Sequence, residues 1–245
     1  MRTKTLLVSA VALFAAGIVS SQAQPVYSQN IVGYASIVSA TPNANYLETV
    51  PFAIGGSNGV NEVFGSNLPL GSKVLIWNGV TLGYDTYYYD DPGDGAGWLA
   101  NDDATHLTSF PTLKAGLGFF LVPAGAITNT YAGTVAVNVG TSNKMLLATA
   151  NANYLVGSIV PYAGAVTNGN NSTGGPNLNG LPLGSKVLIW NGVTLGYDTY
   201  YYDDPGDGAG WLANDDATHV APPSITVGQG FFLIPAGSYT WITGL

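Results

Sequence analysis

The 245-residue chain contains no cysteine. Disulfides, thiolate metal sites, a cysteine nucleophile and a lipid-modified cysteine are excluded together. Basic residues are scarce too: six Lys and Arg stand against fourteen Asp and Glu, for a net charge of −8. A chain with that balance repels phosphate backbones, which argues against a nucleic-acid partner. Charge of either sign is thin, at 8% of residues, while hydrophobic residues reach 47%. This is the composition of a chain that folds, not of a disordered polyelectrolyte. Solubility has to come from Ser, Thr, Asn and Gly. Beyond Val19 no apolar run is long enough to span a bilayer.

The chain opens on a leader pattern. Met1-Arg2-Thr3-Lys4 is basic, Leu6 to Val19 is apolar but short for a membrane span, and Ser20-Ser21-Gln22-Ala23 ends in a small-x-Ala site. The pattern predicts a Sec signal peptide over residues 1–23, cleaved after Ala23. The mature protein is then expected to be secreted, extracellular or on the cell surface, with no transmembrane segment. Loss of Arg2 and Lys4 with the leader takes the net charge from −8 to −10.

The rest is written twice. Leu68 to His106 is identical to Leu181 to His219, 39 residues at an offset of 113. The "ATPNANYL" of Ala40–Leu47 returns as "ATANANYL" at Ala148–Leu155, and "GLGFFLVPAG" of Gly116–Gly125 returns as "GQGFFLIPAG" at Gly228–Gly237. The expected organisation is therefore two units, residues 24–133 and 134–245, each of ordinary domain size. Each unit reads as β. "KVLIW", Asn78-Gly79 and "VTLGYDTYYY" form a hairpin signal in which Asn-Gly suits a two-residue type I′ turn. That register sets Trp77 opposite Val80, Leu75 opposite Leu82 and Lys73 opposite Tyr84, with this side facing the core and Tyr87 and Tyr89 on the other. Further apolar runs bounded by Gly, Pro and Asn, and no long amphipathic helix, predict an all-β fold of two tandem antiparallel sandwich or jelly-roll-like repeats.

An early "VGY" (Val32–Tyr34), "NYLVGSIVPYAG" (Asn153–Gly164), "VLIWNG" (Val187–Gly192) and the "GQGFF" strand at Gly228 occur in that order. Together with the leader they resemble a group of uncharacterised exported bacterial two-repeat β proteins. The order is also similar to β modules of large bacterial surface proteins. The resemblance implies a non-catalytic module and carries no functional residues with it. Tyr154-Leu155-Val156-Gly157 fits the pattern, whereas its counterpart Tyr46-Leu47-Glu48-Thr49 departs from it.

Catalytic patterns fail on context. His106 and His219 are one position in two copies, each after "NDDAT", and read as solvated loop histidines without a placed nucleophile. Gly55-Gly56-Ser57-Asn58-Gly59 satisfies G-x-S-x-G but no convincing helix is predicted after it. Glu48 and Glu62 are the only glutamates and lie in the first unit, so a Glu-based glycosidase pair has no second copy. Gly93-x-Gly95-x-Gly97 lacks the helix that a phosphate loop needs. The expectation is that the protein is not an enzyme.

Two binding readings stay open. Asp90, Asp91, Asp94 and Asp102, with Asn101 and Asp103 beside them, gather hard oxygen ligands of the kind Ca²⁺ takes, and Asp203, Asp204, Asp207 and Asp215 repeat them. The alternative for the same stretch is plain turn chemistry, with Asp side chains capping a Gly-rich loop. Tyr87, Tyr89 and Trp98, with Tyr200, Tyr202 and Trp211, suit a glycan platform, or else cross-strand packing without any ligand. The function expected is a structural or adhesive module of the cell surface or extracellular matrix, contacting a surface polymer or itself. The alternative is a glycan-binding, lectin-like module assisted by calcium. Two copies of a binding face would act with avidity.

Overall fold

The computed structural model describes residues 32–101, 105–135, 142–169, 175–214, 216 and 218–244. The leader expected at residues 1–23, Asp102 and Asp215 all lie outside the described residues. The first half contains β1 (Val32–Ser39), β2 (Tyr46–Thr49), the short helix α1 (Val60–Phe64), β3 (Ser72–Asn78), β4 (Gly83–Asp90), β5 (Gly97–Ala100), β6 (Gly118–Val122) and β7 (Ile127–Thr134). The second half contains β8 (Ser142–Leu147), β9 (Tyr154–Gly157), β10 (Gly164–Ala165), β11 (Ser185–Asn191), β12 (Gly196–Asp203), β13 (Gly210–Ala213), β14 (His219–Val220), β15 (Ser224–Ile225), β16 (Gly230–Ile234) and β17 (Tyr239–Gly244). The fold is almost entirely β, with antiparallel pairing, as expected. Among the described residues no helix is long and apolar enough to cross a membrane.

The two main sheets share one strand order. The first runs β2-β6-β3-β4-β5, and the second runs β9-β16-β11-β12-β13-β14. A two-stranded ribbon packs on one face of each: β1 with β7 on the first, β8 with β17 on the second. Between ribbon and sheet lies the core of each half. Phe52, Phe64, Trp98, Phe119 and Tyr131 fill the first, and Trp211, Phe231, Leu233 and Trp241 the second. A third core joins the halves, where Leu47, Leu75, Trp77, Tyr84 and Phe120 meet Leu155, Leu188, Trp190 and Phe232. The layers thus run ribbon, sheet, sheet, ribbon. A sheet buried on both faces needs apolar residues at both parities of its strands, which explains "KVLIW".

This burial corrects the expected hairpin. Trp77 pairs with Tyr84, Leu75 with Thr86 and Lys73 with Tyr88, so the connection is Gly79–Leu82 rather than Asn78-Gly79. The Asn78 side chain drives the longer loop. Its Oδ1 accepts the N–H groups of Val80 (3.0 Å) and Thr81 (3.2 Å), and its Nδ2 donates to Asp85 (3.1 Å). Val80 and Leu82, expected against the core, are 93% and 74% exposed at the tip. Tyr87 and Tyr89 do lie opposite Trp77, but that side is the core of their own half. The Trp77 side is the face between halves.

The seam between the sheets depends on glycine. Thr49 N–H donates to the Gly228 carbonyl at 2.7 Å, and its counterpart Gly157 N–H donates to Gly116 at 3.1 Å. A Cβ on Gly230 would sit 2.9 Å from the Glu48 carbonyl oxygen, and one on Gly118 would sit 2.9 Å from Leu155. The repeated "G-x-G-F-F" therefore marks where the backbone of one half passes close to the other.

Candidate functional site

The duplicated Asp-Gly stretch connects β4 to β5 and again β12 to β13. Asp91 Oδ1 accepts the N–H groups of Gly93 (2.8 Å) and Gly95 (2.9 Å), and Asp204 does the same with Gly206 (2.8 Å) and Gly208 (3.0 Å). These glycines hold φ of +117° and +109°, the left-handed side that other residues avoid. The N–H donors pull the Asp91 and Asp204 carboxyls below the usual carboxylate range. Asp90 and Asp203 each cap the next backbone N–H at 2.9 Å. Asp94 and Asp207 turn instead toward His106 (3.6 Å) and His219 (3.5 Å). The carboxylates thus diverge: among the described residues no three His, Asp or Glu side chains come together as a metal group.

The histidines are not the solvated loop residues expected. Their side chains are 27% and 30% exposed, and each ring lies against a glycine. A Cβ on Gly97 would stand 2.6 Å from His106 Cδ2, and one on Gly210 would stand 2.7 Å from His219 Cδ2. The Asp94 contact is made by His106 Nδ1, leaving His106 Nε2 buried without a hydrogen-bond partner, whereas His219 faces Asp207 with Nε2.

The six aromatic residues considered for sugar pack inward. Trp98 and Trp211 are 2% and 4% exposed. Tyr89 lies 5.5 Å from the Trp98 ring, and Tyr202 lies 5.5 Å from Trp211. Tyr87 packs on the core of the first half, and Tyr200 and Tyr202 on that of the second. A stacking platform needs an open ring face: Trp98, Trp211 and Tyr89 offer none, while Tyr87, Tyr200 and Tyr202 are half-buried against the cores.

The G-x-S-x-G stretch is followed by a helix after all, the five-residue α1 with Gly59 as its N-cap. Ser57 Oγ donates to Glu62 Oε2 at 3.1 Å, and Glu62 also accepts the N–H groups of Gly56 (3.2 Å), Ser57 (3.0 Å) and Gly59 (3.1 Å). Those donors hold the Glu62 carboxyl below its ordinary range. The carboxylate organises a loop and a helix start.

The group that sequence reasoning passed over is Glu48. It lies in β2, 2% exposed, with Ser39 donating to Oε1 at 3.2 Å and the Tyr131 hydroxyl donating to Oε2. Burial pushes its carboxyl from 4.5 up to about 7, against the opposing pull of the two hydroxyl donors. The corresponding residue of the second half is Val156, 1% exposed, with Leu147 in place of Ser39. The one signal in the sequence was the departure of "YLET" from "YLVG". The site has the form of an asymmetric polar cluster inside one of two related cores. No family model, no curated protein and no solved structure matches the chain.

Proposed function

We propose that the protein is an exported, non-enzymatic structural or adhesive module that acts by presenting a surface to a cell-surface or matrix polymer, or to another copy of itself. The observation that carries this reading is the outward face of the β1–β7 ribbon. Val32, Tyr34 and Val38 are 72%, 79% and 63% exposed there, in register with Thr134, Ala132 and Thr128. On the second ribbon Leu146 and Ile242 also face outward. Neither ribbon pairs with a third named strand among the described residues, although Thr134 at the end of β7 is bridged to Ala53, so apolar faces coincide with largely unpaired edges, a combination suited to association. The Asp91, Asp204, Glu62 and Glu48 carboxylates, by contrast, are engaged in turns, a helix start and a core.

Changing Tyr34 and Val38 to Asp places charge on this face without touching a core. The test is co-sedimentation with isolated cell-wall or matrix polymer, beside light scattering for self-association. The double variant should lose both while its melting curve stays in place. Retention of binding by the variant, or hydrolysis of a polysaccharide, ester or peptide panel by the native chain, overturns the reading.

A further inference from the structure

The relation between the two halves sets up two clefts at corresponding places, one on each side of the seam. Trp77 and Gly79 of the first half face Tyr154 and Leu155 of the second across one cleft; Trp190 and Gly192 face Tyr46 and Leu47 across the other. The Trp-Asn-Gly wall is the same 39-residue stretch in both cases. Two clefts made from copies of one sequence should be alike, yet they are not. The first encloses about 440 Å³ and the second about 200 Å³.

Three positions account for the difference. Where the wide cleft has Met145, Val156 and Leu117, the narrow one has Ile37, Glu48 and Gln229. Ile37 presses onto Gly228, leaving no room for a Cβ there. Gln229 folds back and accepts the Thr226 N–H at 2.9 Å and the Thr226 hydroxyl at 3.2 Å. Glu48 turns its carboxylate inward to Ser39 and Tyr131. One cleft is thus narrowed, while its counterpart is open.

The wide cleft has the size of a small-molecule site, which runs from roughly 300 to 1,000 Å³; the narrow one falls below it. Among the described residues no charged side chain lines it, and its polar side chains are Thr112, Thr149, Asn153, the Tyr154 hydroxyl and the Trp77 indole N–H. A charged ligand would give up its hydration there and find no partner. Trp77 and Tyr154 offer ring surface, while Leu82 and Leu117 stand 74% and 37% exposed at the mouth. Apolar surface left open to water is destabilising unless something covers it. We propose that this cleft is a binding site for one uncharged, largely apolar small molecule containing a ring.

Two dyes that differ by a sulfonate test the proposal on the whole chain. Uncharged N-phenyl-1-naphthylamine should bind with a blue-shifted, saturable signal at one dye per chain, and anionic 1-anilinonaphthalene-8-sulfonate at least roughly tenfold more weakly. Leu117→Gln, at a part-exposed position, gives the wide cleft the residue of the narrow one. It should weaken the uncharged dye by roughly tenfold, whereas Gln229→Leu should not. No saturable binding, two equal sites, equal affinity for both dyes, or an affinity untouched by Leu117→Gln overturns the assignment. Dye binding lost in the Tyr34→Asp, Val38→Asp chain but kept in Leu117→Gln would place it on the ribbon instead. A dimer that forms with concentration and disappears in Leu117→Gln would give the cleft to a second copy, which also sinks the small-molecule site.

Discussion

Glu48, a buried carboxyl, stands where the other half has the apolar Val156. An ionisable group held near pH 7 by burial makes stability depend on pH in a defined direction. Its folded pKa of about 7 lies above the ordinary 4.5, so between those values the folded chain keeps a proton that the unfolded chain has released. Stability therefore falls as pH rises through this window and levels off above it. The total is about 3 kcal/mol, at 1.4 kcal/mol for each pH unit of separation. Glu48→Gln keeps an acceptor for the Tyr131 hydroxyl, reverses the Ser39 bond so that the amide donates to Ser39 Oγ, and has no proton to lose. The native chain should melt at higher temperature near about pH 5 than near about pH 8, and the variant should lose most of that difference. Equal slopes in the two proteins would show that another group carries the dependence. Acid loss below this window belongs to Glu62, Asp91 and Asp204, whose carboxyls are held low and whose contribution disappears as they protonate.

At the scale of elements, the β3–β4 hairpin shows what the sequence disclosed and what it did not. The strands, their antiparallel pairing and the turn between them were legible from apolar runs broken at Asn78-Gly79. The register was not. A strand that is half-buried has one apolar face to fix its parity, but β3 has two, Val74 and Ile76 on one side and Leu75 and Trp77 on the other. The turn had to decide, and Asn78 acts through its side chain rather than through a left-handed backbone. The aspartate loop was legible as turn chemistry, since the Asp-to-glycine N–H bonds are local. Glu48 was not, because its partners Ser39 and Tyr131 are brought to it by tertiary packing. The two turn geometries make opposite demands on Gly79. A type I′ turn requires φ > 0 there, whereas Gly79 is not among the positive-φ glycines, and a Cβ on it would meet nothing nearer than Trp77 Nε1 at 3.9 Å. Gly79→Ala should leave stability unchanged or raise it by about 0.5 kcal/mol, through the smaller freedom of the unfolded chain. A loss above about 1 kcal/mol in urea unfolding would reinstate the two-residue turn.

At the scale of the whole molecule, duplication solves a packing problem. Each main sheet has a second apolar face that its own ribbon cannot cover, and the other half covers it. Six rings close a circuit across that boundary: Trp77, Tyr84, Phe120, Trp190, Tyr197 and Phe232, each edge-on to the next at centroid distances from 5.1 to 6.3 Å. Edge-to-face pairs contribute about 0.5–1.5 kcal/mol each beyond burial. Because the facing rings are Trp, Tyr and Phe at matching positions in both halves, the ring circuit is isologous, while the residues around it (Thr49 against Gly157, Glu48 against Val156) differ between the halves. The consequence reaches the avidity expected of two copies. One half alone is not a single binding face but an uncovered core, so comparing one unit with two does not measure avidity. What a single half should do is pair with itself. Residues 32–134 produced alone should be a dimer by light scattering at micromolar concentration, with the Trp77 ring edge-on to Phe120 of the other copy. Trp77→Ala should shift that dimer toward monomer, since it removes a half-buried ring and its edge-on contact across the boundary, which is worth about 0.5–1.5 kcal/mol beyond burial. The same substitution in the full chain should lower its melting temperature and leave its state of association unchanged, because the link keeps the halves together. A half that stays monomeric and melts cooperatively would mean that the third core adds little, and that the halves are separate domains resting against one another.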